Sequence, residues 1–326
     1  MKSGSNLERV LLSGEFAVTV EIGPPMGADG GVIRNRAKML RGFADAYNIT
    51  DNQKADARLS SIAASFMLLE EKVEPVMQMT CRDRNRIAMQ SDILGAAALG
   101  IKNCLVISGD HQAISASGKL HGHPHAKGVY DVDSIQLVNI IKRMRDESVL
   151  EGGDPIDPPP KMFIGAAWTP GGEPLDFRPV NLKKKVDAGA DFIQTQGIYD
   201  VEMFKNQMKA AGDLGVLERT AVLAGIIIPK NLGMLKYMNE NVPGVRVPDE
   251  LMRRMKSAKD AAAGDKEKEK EIQRSEGIKI TAELIARVRE IPGVRGVHLQ
   301  AIGWEKYVPE IVKAAGLLPR PQILQV

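Results

Sequence analysis

"FAVTVEIGPP", residues 16 to 25, sets the reading of the whole chain. Its first seven residues are apolar and β-branched enough for a strand, and Gly23-Pro24-Pro25 ends that strand abruptly. Alternation places Phe16, Val18, Val20 and Ile22 on one face and Ala17, Thr19 and Glu21 on the other. The bulky side chains cover one face, and the smaller ones point where Glu21 points. A carboxylate at the C-terminal end of a first strand is either a solvated edge residue or a buried catalytic acid. One strand leaves both readings open.

Seven more runs have the same character: 46–50 (AYNIT), 74–80 (EPVMQMT), 103–108 (NCLVIS), 162–168 (MFIGAAW), 192–196 (FIQTQ), 221–228 (AVLAGIII) and 296–302 (GVHLQAI). A helical pattern follows each, such as "ARLSSIAASFMLLEE" or "VEMFKNQMKAAGDLG". Repeated strand–helix units imply a parallel sheet with helices outside. Eight of them predict an α/β fold, a single-domain (β/α)8 TIM barrel over residues 1–326, since such barrels take ~250 residues and tolerate insertions. A doubly wound sheet is the alternative, but no G-x-G-x-x-G follows any of these strands. Two stretches read as insertions: a Gly-, Ser- and His-rich loop at 111–130, and a charged helical segment at 248–290.

Composition narrows the class. Hydrophobic residues make up 44% and charged residues 26%, ordinary for a globular chain with a sizeable core. A net charge of +3 gives no argument for nucleic acid. Cys81 and Cys104 are the only cysteines, which excludes a cysteine-ligated iron–sulfur cluster within this chain and favours a reducing, cytoplasmic setting. The N-terminal residues lack an apolar signal core, and no stretch is long enough for a membrane span.

In such a barrel the active site forms at the C-terminal ends of the strands. Those ends carry Glu21, Thr50-Asp51, Thr80-Cys81, Ser108-Gly109-Asp110, Trp168, Thr195-Gln196 and Gly303-Trp304. Any one alone reads as a loop cap; several on a ring of strands point to a site. Glu21 and Asp110 form a candidate acid–anion pair, or each caps the helix that follows. "HGHPH" (His121, His123, His125) alternates histidines in a flexible loop without a fixed carboxylate or cysteine, so no metal is expected there. Met203, Met208 and Met234 read as core or pocket wall.

The block "NLKKKVDAGADFIQTQGIYD" (181–200), with "VEIGPP", "QMTC" (78–81) and "SGD" (108–110) in order and spacing, resembles the methylenetetrahydrofolate reductase family. The resemblance spans roughly residues 15 to 318 and implies a flavin enzyme on a (β/α)8 barrel. It implies catalytic roles for Glu21, as the acid that protonates N10 of the folate, and for Asp110, as the carboxylate beside flavin and pterin. Gln196 falls on the amide that binds the pterin, so Gln196, Glu21 and Asp110 are the implied substrate contacts. Thr50, Gln78, Ser108, Gly109, Asp110, Asp133, Ser134, Ala166, Asn181, Lys184 and Lys185 fall on positions around the flavin, with FAD ahead of FMN. The residue types suit the chemistry. Ring opening needs a proton near neutral pH, the developing cation needs an anion, and flavin phosphates need positive charge. Lys183 reads as a solvated helix face.

The chain also departs from the familiar pattern. Many relatives carry His at Gln78 and Arg at Ser108, and Trp304 stands about where the best-known members bind folate with Arg. "GVHLQAIG" with "GAAWTP" resembles the branch found in anaerobes, whose reductases often work with a zinc- or iron–sulfur-containing partner subunit. The implied electron donor is therefore NAD(P)H or a partner protein, and a homo- or hetero-oligomer is expected. Two rival readings are a flavin-free, pterin-binding methyltransferase barrel and a flavin-bearing electron-relay subunit.

Overall fold

Ten strands form in the computed structural model, which describes residues 1–116 and 119–322, with the backbone alone at 114–116 and 119–121. They are β1 (Ala17–Ile22), β2 (Ala46–Ile49), β3 (Pro75–Thr80), β4 (Asn103–Ile107), β5 (Ala113–Ala116), β6 (Lys119–Gly122), β7 (Phe163–Trp168), β8 (Phe192–Gly197), β9 (Ala221–Ile227) and β10 (Val294–Gln300). Eight of them close into a parallel barrel in the order β1-β10-β9-β8-β7-β4-β3-β2, while β5 and β6 pair as a separate antiparallel hairpin. Around the barrel lie α2 (Gly31–Leu40), α3 (Ser61–Glu70), α4 (Arg86–Ala98), α5 (Ser134–Asp146), α6 (Phe177–Ala188), α7 (Val201–Asp213), α8 (Leu232–Asn241), α9 (Asp249–Asp260), α10 (Lys266–Arg289) and α11 (Val308–Ala314), preceded by α1 (Asn6–Leu12). All eight strand runs read from the sequence are barrel strands. The (β/α)8 architecture is the one expected.

The alternation in β1 explains the packing. Val18, Val20 and Ile22 are fully buried in the core between barrel and helices. Ala17, on the opposite face, joins the barrel floor with Ala46, Val76, Leu105, Phe163, Phe192 and Leu223. Phe163 and Phe192 stack there with ring centroids 5.1 Å apart. A Cβ on Gly165 would lie 2.3 Å from the Phe192 ring, so a glycine is what lets that ring fill the floor. Leu7, Val10 and Leu11 of α1 complete the plug. Burying each contributes about 1.5–3 kcal/mol against leaving it in water. Sequence reading found no helix here. Its signature is nevertheless present: Ser5 caps α1 by accepting a hydrogen bond from the Glu8 amide at 3.0 Å, and the apolar residues follow at helical spacing.

Ion pairs tie the floor together. Arg145 in α5 donates to Asp191 at 2.6 Å, both side chains buried, and Asp191 also accepts from the Ile164 amide at 2.8 Å. Arg320, beyond α11, pairs with the buried Asp45, which accepts from the Val18 amide at 2.7 Å. The charged stretch 248–290 forms α9 and α10. Its lysine–glutamate run is largely exposed, but Ile278, Ile280, Leu284, Ile285 and Val288 are buried, so the second half of α10 is a wall helix of the barrel. Among the described residues no helix is long and apolar enough to cross a membrane. Cys81 and Cys104 are free and buried, and burial pushes both thiols up to about 12.

Candidate active site

A buried polar layer lies above the apolar floor. Asn48 on β2 and Gln194 on β8 face each other across the barrel, with Asn48 Nδ2 donating to Gln194 Oε1 at 2.7 Å and Gln194 Nε2 donating back to Asn48 Oδ1 at 3.1 Å. Gln194 Nε2 also donates to Thr19 Oγ1 at 3.0 Å, and Thr19 Oγ1 lies 2.9 Å from His298 Nδ1. His298 is 2% exposed, and its Nε2 lies 3.8 Å from Glu21 Oε2. Gln78, also buried, occupies the inner face of β3 at this level. Val20 and Ile22 face the outer core, while alternation along β1 returns Glu21, two residues beyond Thr19, to the inner face and nearer the mouth. Its side chain is 24% exposed.

The rim is built loop by loop. Thr50, just past β2, donates from its hydroxyl to Gln53 Oε1 at 2.8 Å. Asp51 plays a structural part, accepting from the Thr80 amide at 2.9 Å and pairing with Arg84 at 2.6 Å. Gly109 turns the chain with φ +87°, and a Cβ there would press on Arg82 and Thr80 at 3.1 and 3.2 Å. The turn leaves Asp110 exposed; its carbonyl accepts from Arg82 Nη1 and from the Tyr130 hydroxyl, each at 3.1 Å. Arg82 is itself held by Asp83 at 2.6 Å. Glu21 and Asp110 stand on strands separated by β2 and β3. Across the ring, the β8–β9 register shifts between Gln194 and Gly197, and the half-buried Gln196 sits on that irregularity. Its Oε1 accepts from the Gly197 amide at 3.0 Å.

One group of predicted residues converges beside β4 and β7. Ser108 donates to Ser134 Oγ at 3.3 Å, and Ser134 opens α5 behind the N-cap Asp133. Lys185 donates to the Ala167 carbonyl. Burial pushes the Lys185 ammonium down from 10.5 to about 8, against the opposing pull of Asp133. Two hydroxyls, the N-terminus of α5 with its capping Asp133 carboxylate, and a half-buried ammonium thus lie on the β4–β7 side of the barrel. Asn181 is half-buried one helical turn before Lys185.

Two of the residues that the resemblance puts around the flavin turn their side chains away from the mouth. Ala166 shares the outer face of β7 with Ile164 and Trp168 and is fully buried in the barrel–helix core. Its side chain cannot line the mouth; the inner-face neighbour is Ala167. Lys184 is exposed and rotated away from Lys185, over the Phe177 ring at 5.3 Å, and lines an outer groove with Gln136 and Asn139 of α5. Helical geometry, ~100° per residue, separates the two lysines. Lys183 pairs with Asp187 at 2.6 Å on the surface.

His298, Gln194 and Asn48 were missed by the sequence reading, which placed Thr19 on the face of Glu21 but gave it no role. Only the polar character of inner-face positions, counted by alternation in four strands, could have found them. Trp304 packs edge-on against Tyr307, centroids 4.9 Å apart, with Lys230 donating to the Ile302 carbonyl beside it. His123 contacts the Ala55 carbonyl through Nδ1 at 2.7 Å, whereas the His121 side chain lies outside the described residues. Among the described residues, no group of three or more His, Cys, Asp or Glu is arranged to hold a metal ion.

A closed parallel barrel with a polar, carboxylate-bearing mouth defines a (β/α)8 protein of the enzyme type. The family model for methylenetetrahydrofolate reductase matches residues 6–316, and the chain belongs to that family. It is 27% identical over 282 residues to methylenetetrahydrofolate reductase 2 of Schizosaccharomyces pombe, covering 81% of this chain and 39% of that protein. It is 25% identical over 336 residues to methylenetetrahydrofolate reductase (NADH) 1 of Arabidopsis thaliana, covering 99% of this chain and 52% of that protein. The chain thus spans roughly two fifths to one half of these curated relatives. Among solved structures, an uncharacterized Clostridium thermocellum protein that binds two copies of 5-methyl-5,6,7,8-tetrahydrofolic acid superposes with a TM-score of 0.60 at 14% identity, covering 95% of this chain and 98% of that one. EDTA monooxygenase from Chelativorans sp. BNC1 gives 0.52 at 10% identity, covering 94% and 95%. At such identities these two likenesses concern the fold.

Proposed function

We propose that the chain reduces 5,10-methylenetetrahydrofolate to 5-methyltetrahydrofolate with a bound flavin, in a reducing cytoplasmic setting. The observation that carries the reading is the arrangement of the mouth, with Glu21 over a buried polar layer and a separate anion corner at Ser108, Ser134 and Lys185. Family membership and the folate ligand of the Clostridium thermocellum protein support it.

That corner fits a flavin phosphate: it offers two hydroxyls, the α5 N-terminus and a cation whose charge burial leaves undercompensated. Thr50, Gln78, Gly109, Asp110 and Asn181 are the further residues that would hold the cofactor. Reduced flavin, when bound, supplies the hydride. Glu21 protonates N10, so that the N10–CH2 bond breaks and its electron pair leaves with N10 as the N5 iminium forms. Asp110 supplies the negative charge that this cation needs. Gln196 offers both a donor and an acceptor to the pterin edge. Hydride addition to the iminium carbon completes the methyl group.

Ser108 and Trp304 stand where familiar members carry arginine, so electrons are expected from a partner subunit with weak or no direct oxidation of NADH. The test is anaerobic. Purified protein is titrated with FAD and with FMN, reduced with dithionite or with NADH, and mixed with 5,10-methylenetetrahydrofolate. Tight flavin binding, little bleaching by NADH, and 5-methyltetrahydrofolate formed from dithionite-reduced protein are the expected results. Failure to bind either flavin contradicts the reading and favours a flavin-free pterin barrel. Flavin binding without methylfolate formation favours an electron-relay subunit.

A further inference from the structure

We propose that His298 is a positioning residue for Glu21, its Nε2–H held toward the carboxyl by a hydrogen-bonded chain that crosses the barrel. The inference rests on the acid role given to Glu21 above. The chain fixes its own direction. The reciprocal amide pair between Asn48 and Gln194 sets Gln194 with Nε2 toward β1, where it donates to Thr19 Oγ1 at 3.0 Å. Having accepted that bond, the Thr19 hydroxyl donates its own proton. Its nearest acceptor is His298 Nδ1 at 2.9 Å, against 3.5 Å to the Val297 carbonyl. A neutral imidazole that accepts at Nδ1 carries its hydrogen on Nε2. That nitrogen faces Glu21 Oε2 at 3.8 Å.

Room for the ring comes from the sheet. His298 pairs with Thr19 on β1 and with Gly225 on β9, and Gly225 has no side chain to compete for the lumen. At 3.8 Å the contact with Glu21 is longer than a hydrogen bond. It is placed to close into one when Glu21 gives up its proton, since catalytic contacts often tighten only in the reacting complex. Until then, the imidazole and the amide layer below it leave the mouth as the outlet for the Glu21 proton. Asn48, Gln194 and Thr19 carry no charge, so the layer steers Glu21 through direction.

His298→Asn keeps an acceptor near the Nδ1 position for Thr19 but loses the donor that reaches Glu21. His298→Gln places an amide N–H near the Nε2 position. These two variants, Glu21→Gln and the Glu21→Gln/His298→Asn double variant are compared by methylfolate formation from dithionite-reduced protein, with flavin affinity measured alongside. Hydrogen bonds to charged groups are worth enough that His298→Asn should slow the step about 10- to 100-fold. Flavin affinity should be unchanged, and His298→Gln should recover part of the rate. In the Glu21→Gln background, His298→Asn should cost nothing further. A second readout needs no turnover: 15N NMR of histidine-labelled protein should find the His298 proton on Nε2, and Thr19→Val should disturb it.

His298→Asn as fast as wild type beside an impaired Glu21→Gln overturns the inference alone. So does an equal loss in both backgrounds, or a proton found on Nδ1. Glu21→Gln as fast as wild type overturns the acid role and the inference with it. If His298→Asn does not fold, His298→Gln and the NMR readout on wild type still decide.

Discussion

Lys185 links the proposed cofactor corner to pH. Its ammonium is pushed down from 10.5 to about 8, chiefly by burial. About nine tenths of it is charged at pH 7 and about one tenth at pH 9, one unit to either side. A phosphate held against the ammonium raises its proton affinity again, so binding at pH 9 must first recover the missing proton. The expected cost is ~10-fold in flavin affinity between pH 7 and 9, or ~1.4 kcal/mol. The stability of the unliganded fold should move the other way. Lys185 binds its proton less tightly in the folded state, so the unfolded chain holds more protons from about 8 up to 10.5 and stability gains with pH in that window. Fluorescence titration of FAD and FMN at constant ionic strength measures the affinities, with Lys185→Gln as control. The variant should bind more weakly at pH 7 and show a flat profile to pH 9. A wild-type affinity that does not change from pH 7 to 9, or falls equally in Lys185→Gln, would refute the reasoning.

Other expectations concern the scaffold. Gln194→Leu strands the Asn48 amide inside the barrel, takes one of the two bonds of the Thr19 hydroxyl, and should cost about 1–3 kcal/mol, read from the denaturant midpoint; a change under ~0.5 kcal/mol would mean the polar layer is not a coupled network. Asp191→Ala takes the buried carboxylate from Arg145, which keeps Asp146, and from the Ile164 amide, and should cost about 1–3 kcal/mol by the same measurement. A near-neutral result would mean that water reaches Arg145. Gly225→Ala should lower the yield of folded protein sharply, because the new Cβ would lie 2.1 Å from the Thr195 carbonyl oxygen; normal yield and midpoint would show that β8 can shift.

Much of the architecture was legible because each barrel strand is a short, largely apolar run, and each is followed by a helical pattern. The strand-end list also put Glu21, Thr50, Ser108, Asp110 and Gln196 at or just past the ends of barrel strands, where the structure has them. Failures arose where orientation mattered more than position. Ala166 lies on the right strand and the wrong face, and Lys184 on the right helix and the wrong side; the periods of 2 and 3.6 separate them from Ala167 and Lys185. α1 was overlooked because it is only seven residues long, and its value lies in the floor that three of its four apolar side chains plug. The layer of His298, Thr19, Gln194 and Asn48 depends on how β1, β2, β8 and β10 are placed around the ring. No single stretch of sequence contains that information.

The central claim, that this mouth reduces a methylene folate with Glu21 as the acid, is tested most directly by one single-turnover comparison. Wild-type protein and Glu21→Gln, each loaded with flavin and reduced with dithionite, are mixed anaerobically with 5,10-methylenetetrahydrofolate, and flavin reoxidation is followed together with 5-methyltetrahydrofolate. Glutamine keeps the size and much of the hydrogen bonding of Glu21 but has no proton to give. The account predicts stoichiometric methylfolate from wild type and a rate at least ~10²-fold lower in the variant, with flavin affinity unchanged. Equal rates would contradict it, leaving Glu21 a strand-end carboxylate and moving the search for the acid to Asp110.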